Sequence, residues 1–223
     1  MHTKLETENL SYAAGGDQII RGIDLAIDTG ETLAVIGPSG AGKSTLLRLL
    51  CRLDEPTDGT VLLDGVDYRT LDPVDLRSRV GLVPQSPGLQ DGTVRENVTV
   101  GPRLRGESVE SGRVESLLRR VDLPGYADRA VADLSGGEKQ RVAIARTLMV
   151  DPEVVLLDEP TASLDSGAQA EIEGLLAELL TGSDRTVVLV THDRTQADRV
   201  ADRVVRIENG QVDAVGRSTE VLV

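Results

Sequence analysis

Short apolar runs alternate with longer mixed stretches along this chain. Glu6–Leu10 and Ile23–Ile27 read as strands, the second ending in a turn at Asp28, Thr29 and Gly30. Thr32–Ile36 is a short apolar strand that runs into a glycine-rich turn and then an apolar helix over Ser44–Cys51. Thr60–Leu63 precedes Asp64-Gly65, a tight-turn signal, and Val80–Val83 is a further strand. From Val94 to about Met149 the β-branched runs thin out and helical spacing takes over. There Val114, Leu117, Leu118 and Val121 share one face of a helix over Val109–Val121. Strands return at Val154–Leu157 and Thr186–Val190, with a helix over Ala168–Leu180 between them. Val204–Ile207, Asn209-Gly210 and Val212–Val215 read as a β-hairpin. Buried strands separated by helices predict an α/β fold with a mainly parallel core sheet. The expected organisation is a single domain over 1–223 with an antiparallel β part at its N-terminus. Residues 1–93 and 150–223 form its core, and residues 94–149 form an inserted helical subdomain.

Composition narrows the function. The 223 residues are 39% hydrophobic and 27% charged, which suits one domain with a substantial core, or two very small ones. The longest apolar runs, such as Val187–Val190, fall far short of the ~18 residues a spanning helix needs. The net charge is −13 and only Lys4, Lys43 and Lys139 are lysines. So acidic a chain argues against generic nucleic-acid binding, which depends on clustered cations. Arginine-favouring codons and adaptation to concentrated salt both account for this balance, and both stay open. Cys51 is the single cysteine, so no intrachain disulfide forms, and no metal-ligand spacing surrounds it. No apolar segment precedes Glu6 and Glu8, so no secretory signal is expected and the chain is expected in the cytoplasm.

Gly37-Pro38-Ser39-Gly40-Ala41-Gly42-Lys43-Ser44 matches the phosphate-loop pattern and sits between a strand and a helix, as that motif must. Glycines let the backbone wrap a polyphosphate with its N–H groups inward, and the helix N-terminus adds partial positive charge. Lys43 would reach the β- and γ-phosphates and Ser44 would place its hydroxyl on Mg²⁺. This predicts a P-loop NTPase. The strand Val154–Leu157 runs into Asp158 and Glu159. At such a strand end the first acid holds the Mg²⁺ shell and the second is placed to take a proton from water. His192 follows the strand Thr186–Val190, at the sheet edge where α/β ligand sites form. It is a candidate to bond the γ-phosphate and orient Glu159.

Leu134-Ser135-Gly136-Gly137-Glu138-Lys139-Gln140-Arg141 sharpens this reading. With it, nearly the whole chain resembles the ATPase subunits of ATP-binding cassette (ABC) transporters. The resemblance identifies Gln85 as the Q-loop glutamine near the metal, Leu134–Glu138 as the signature, Ser163-Leu164-Asp165 as the D-loop and His192 as the switch. Tyr12 stands 25 residues before Gly37, where family members place an aromatic that stacks on adenine. A core role for Tyr12 is the alternative, although a chain with no Trp, no Phe and three Tyr has few candidates. Glu138 stands where many members have Gln.

The resemblance implies that two chains pair head to tail. Each ATP then lies between Gly37–Thr45 of one chain and Ser135–Gly137 of the other, with Mg²⁺ held by Ser44, Asp158 and Gln85. It also implies a transport-coupled ATPase acting through separate transmembrane permease subunits on the inner face of the cell membrane. The stretch around Gln85–Val100 is the expected docking surface, and a substrate-binding protein is a further candidate partner. Leu82–Gly106, with its GTVRENVTVGPRLRG, resembles phosphate-importer ATPases and a small group linked to iron and aluminium handling; Leu49–Asp67 leans toward the second. The chain ends about thirty residues after His192, so a C-terminal regulatory domain of the sugar-importer kind is not expected. A non-transport ABC ATPase, of DNA repair, chromosome maintenance or regulatory type, is the alternative. The 50 residues from Gln85 to Ser135 carry no sustained heptads for a coiled coil, and Glu159 and His192 are intact.

Overall fold

The computed structural model describes residues 2–162, 164–180 and 185–221. Its strands, in chain order, are β1 (Thr3–Ala14), β2 (Asp17–Asp28), β3 (Thr32–Ile36), β4 (Asp58–Leu63), β5 (Val66–Asp67), β6 (Val80–Val83), β7 (Val154–Asp158), β8 (Thr186–Val190), β9 (Arg203–Glu208) and β10 (Gln211–Gly216). An antiparallel sheet takes the order β2-β1-β4-β5, and a second sheet takes the order β10-β9-β3-β8-β7-β6. In the second, β3 runs parallel to β8 and β9, and β7 runs parallel to β8, while the β9–β10 hairpin adds an antiparallel edge. β3, β7 and β8 are apolar along nearly their whole length because both faces of the parallel sheet are covered. The expected α/β architecture, parallel core and antiparallel N-terminal part alike, is present.

Helices follow the strands: α1 (Lys43–Leu50), α2 (Pro73–Arg79), α3 (Val94–Val98), α4 (Val100–Leu104), α5 (Ser111–Arg120), α6 (Gly136–Leu148), α7 (Ser166–Leu180), α8 (Arg194–Val200) and α9 (Ser218–Val221). Val114, Leu117, Leu118 and Val121 are all buried, as their helical spacing predicts. α2 lies outside the elements expected from apolar spacing. Its start is nonetheless encoded locally, since the Asp72 side chain accepts the Val74 and Asp75 N–H groups and proline occupies the first turn. β1 and β2 each run 12 residues, longer than their apolar segments, because register shifts at Thr7/Leu10 and Leu10/Tyr12 let polar positions continue the ladder.

The chain forms two compact units. One comprises Met1–Leu82, Glu153–Asp158 and Asp184–Val223. Its core joins both sheets to α1 through Leu5, Leu33, Val35, Leu46, Leu50, Leu63, Leu156 and Val190. Each such side chain contributes about 1.5–3 kcal/mol on burial, so β3 and the loop after it rest on a rigid base. The second unit comprises Val83–Pro152 and Glu159–Ser183 and is mainly helical. Its central helix, α6, buries Val142, Ala143, Ile144 and Ala145.

Candidate nucleotide site

β3 ends at Ile36 and the chain turns through Gly37–Gly42 into α1. The turn is walled by neighbouring strands. A Cβ on Gly37 would lie 2.1 Å from the Ile207 carbonyl oxygen, and one on Gly42 would lie 2.7 Å from Ile20 Cδ1 and 3.0 Å from the Ile19 oxygen. Gly42 also sits at φ 100°, in the left-handed region, as the N-cap of α1. The Gly210 N–H, in the β9–β10 turn, donates to the Ala41 oxygen at 3.2 Å and pins the loop further. Pro38, Ser39 and Gly40 are exposed at its tip, and Thr45 is half-buried in the first turn of α1. Lys43 is buried, and its Nζ donates to the carbonyls of Gly37 and Pro38, both at 3.0 Å. The cation is thus folded over the mouth of its own loop. No side chain caps α1 and no acidic residue lies in its first turn, so its partial positive end is left for an anion.

Ser44 and Asp158, predicted as metal ligands and 114 positions apart in the chain, meet directly. Ser44 Oγ donates to Asp158 Oδ1 at 2.8 Å. A hydroxyl and a carboxylate oxygen at the foot of a phosphate loop are hard donors of the kind Mg²⁺ takes, so the residues present fit that ion. Glu159 follows at φ 41°, a left-handed conformation that costs a non-glycine residue about 1–3 kcal/mol. Its carbonyl accepts the Ala162 N–H at 3.1 Å, so the chain turns immediately after β7 ends at Asp158. His192 lies exposed beyond β8 and lines a cleft of about 480 Å³ with Ile36, Gly37, Pro38, Arg194, Arg206 and Glu208. Tyr12, half-buried against the core, pairs across β1 and β2 with Ile20, whose side chain touches the phosphate loop at Gly42.

The signature residues belong to the helical unit. Ser135 caps α6: its Oγ accepts the Glu138 N–H at 3.3 Å, and Glu138 Oε2 accepts the Ser135 N–H at 2.8 Å. Gly136 and Gly137 allow α7 to approach, since a Cβ on Gly137 would lie 3.3 Å from that of Ala168. A cleft of about 320 Å³ opens there, lined by Ser135, Gly136, Gly137, Glu138, Leu164 and Asp165 among others. Asp165 Oδ1 accepts the Gly167 and Ala168 N–H groups, so the D-loop aspartate also starts α7. Ser163 lies outside the described residues. Gln85 is exposed, and the carbonyls on either side of it are held from α6. Gln140 Nε2 donates to the Pro84 oxygen at 3.1 Å, and Arg146 donates to the Pro87 and Gly88 oxygens at 2.7 and 3.0 Å. Burial lowers the Arg146 pKa below the ordinary arginine value. Arg146 and Tyr126, which bonds Glu138, went unnoticed in the sequence, because isolated polar residues carry no spacing signal, and Gln140 was noted only as part of the signature run, with no role of its own.

A glycine loop sealed between strands, a lysine folded into it and a serine–aspartate pair below it make the β-sheet unit a P-loop nucleoside triphosphatase. Comparison with known proteins carries the assignment further. The family model described as ABC transporter matches residues 20–162. Protein STAR1 of Oryza sativa subsp. japonica is 48% identical over 200 residues, covering 89% of this chain and 58% of its own. The phosphate import ATP-binding protein PstB 2 of Natronomonas pharaonis is 43% identical over 231 residues, covering 97% and 81%. Among solved structures, cbiO1 from Clostridium perfringens, part of the ABC transporter complex cbiONQ, aligns with a TM-score of 0.86 at 32% identity, over 100% of this chain and 91% of its own. The chain belongs to the ABC transporter family. It spans little more than half the length of the rice protein. Among the described residues no helix is long and apolar enough to cross a membrane.

Proposed function

We propose that the chain hydrolyses ATP in a composite site between two ATPase subunits and so drives substrate through separate permease subunits. The observation that carries this reading is the 2.8 Å contact between Ser44 Oγ and Asp158 Oδ1 at the foot of the glycine loop. The backbone of Gly37–Thr45 wraps the phosphates, and Lys43 exchanges the carbonyls of Gly37 and Pro38 for the β- and γ-phosphate oxygens. Ser44, Asp158 and Gln85 would hold Mg²⁺, which supplies charge neutralisation for the phosphates when bound. Glu159 takes a proton from the attacking water, and His192 bonds the γ-phosphate and orients Glu159. Tyr12 stacks on the adenine. Ser135, Gly136, Gly137 and Asp165 of the second subunit close the site from the other side, using the partial positive end of α6.

The second subunit is another copy of this chain or a paired ATPase. Docking of the permease around Gln85–Val100 would hold the chain at the inner face of the membrane, with a substrate-binding protein as a further partner. Similarity to PstB 2, named for phosphate import, supports phosphate or another oxyanion as cargo, with a metal as the remaining candidate. Residues 94–149 serve as the inserted helical subdomain. The net charge of −13 supports a reading without nucleic acid.

Glu159→Gln tests the proposal. The variant keeps size and hydrogen bonding but removes the base, so turnover should fall by ~10²–10⁴ while ATP still binds. Gel filtration with ATP and Mg²⁺ should then show a dimer of about twice 23.8 kDa, returning to monomer with ADP. Turnover at the parent rate would overturn the role of Glu159.

A further inference from the structure

Glu138 poses an electrostatic problem. It places a formal negative charge in the first turn of α6, beside the Ser135–Gly137 end that receives phosphate in the head-to-tail reading. A carboxylate free to swing there would repel the incoming anion and leave the Ser135 N–H uncapped. The structure holds it by both oxygens: Oε2 accepts the Ser135 N–H at 2.8 Å and Oε1 accepts the Tyr126 O–H at 2.7 Å. Neither oxygen can turn toward the helix mouth without breaking a hydrogen bond to a charged acceptor, the stronger kind.

The tyrosine is itself anchored. The Arg129 guanidinium lies over its ring, 3.9 Å from the centroid, and draws electron density that makes the phenol a better donor. The backbone around it caps the start of α3: the Val94 N–H donates to the Arg129 oxygen at 2.9 Å, and the Arg95 N–H to the Ala127 oxygen at 2.8 Å. The titration behaviour of the pair agrees with this geometry. The Ser135 N–H and the Tyr126 hydroxyl hold the Glu138 carboxyl below its ordinary range, and Glu138 in turn raises the Tyr126 phenol.

We propose that Tyr126 is a positioning residue for the second nucleotide contact: by fixing Glu138 it keeps the signature carboxylate turned away from the phosphate and the Ser135 N–H in place. The proposal rests on the composite-site reading above, and its test separates the two. Tyr126→Phe removes one oxygen and keeps the ring under Arg129. In nucleotide-free protein, exchange of the Ser135 amide should quicken by about fivefold or more as its cap loosens. Turnover with ATP and Mg²⁺ should fall about three- to tenfold, through kcat more than KM, because the phosphate loop that first binds ATP is untouched. In a Glu138→Gln background, where no charge needs restraint, the same Tyr126→Phe change should alter turnover less than about twofold. An equal loss in both backgrounds, or no change in Ser135 exchange, would overturn the proposal. Normal turnover of Ser135→Arg would instead overturn the composite site itself.

Discussion

The two helix N-termini proposed to meet ATP, those of α1 and α6, are built in opposite ways. α1 has no side-chain cap and no acid in its first turn, and its entry is a glycine at φ 100° walled by β2. α6 is closed by a capping box, Ser135 with Glu138, and carries its negative charge at N3. Anion affinity at α1 is therefore inherent in the backbone and its bounding strands. At α6 it depends on side chains being held in one arrangement by Tyr126 and Arg129. In the proposed composite site, the first end would bind ATP in a lone chain, and the second would make a weaker, later contact as two chains meet.

That difference has consequences for stability. Gly37→Ala would drive a methyl group into the Ile207 carbonyl at a φ of 148° that alanine rarely adopts, and should cost about 3 kcal/mol or more. Gly137→Ala meets only the Ala168 methyl at 3.3 Å in an ordinary helical conformation, and should change stability by about 1 kcal/mol or less. Urea titration of the two variants compares them directly, and similar losses would erase the distinction drawn between the loops.

A smaller effect concerns acid. The Glu138 pKa is depressed in the folded chain, so its stabilising bonds are fully present above the ordinary glutamate value of 4.5. They are lost as pH falls through the folded value. The melting temperature of the parent should therefore drop more steeply than that of Glu138→Gln on going from about pH 5 to pH 3. α1, with no acid in its first turn, contributes nothing comparable. Parallel curves for parent and variant would mean that ionisation of Glu138 adds no stability.

What the sequence disclosed follows the same division. The strands β3, β6 and β8 match the apolar runs residue for residue, because a strand buried on both faces leaves an uninterrupted signature. The phosphate loop was legible for a related reason, since tight backbone approach admits only glycine at Gly37 and Gly42. The family resemblance supplied Ser135 and Asp165, but not that Asp165 also caps α7. The contacts of Tyr126 and of Gln140, the latter quoted only within the signature run, stayed hidden. Their hydrogen-bond partners lie 12 and 56 positions away in the chain, and nothing local distinguishes them from exposed polar residues.

In the proposed arrangement each ATP is shared between α1 of one chain and α6 of another. Mixing two defective variants distinguishes a shared site from two separate ones. Lys43→Ala weakens the phosphate loop, and Ser135→Arg blocks the seam with bulk and positive charge, so each alone should be nearly inactive. A mixed dimer concentrates both defects in one site and leaves the other intact. Equal mixing should therefore restore ATPase activity to about a quarter of the parent, since half the dimers are mixed and each carries one good site. A mixture no more active than the average of its two components would contradict the shared site.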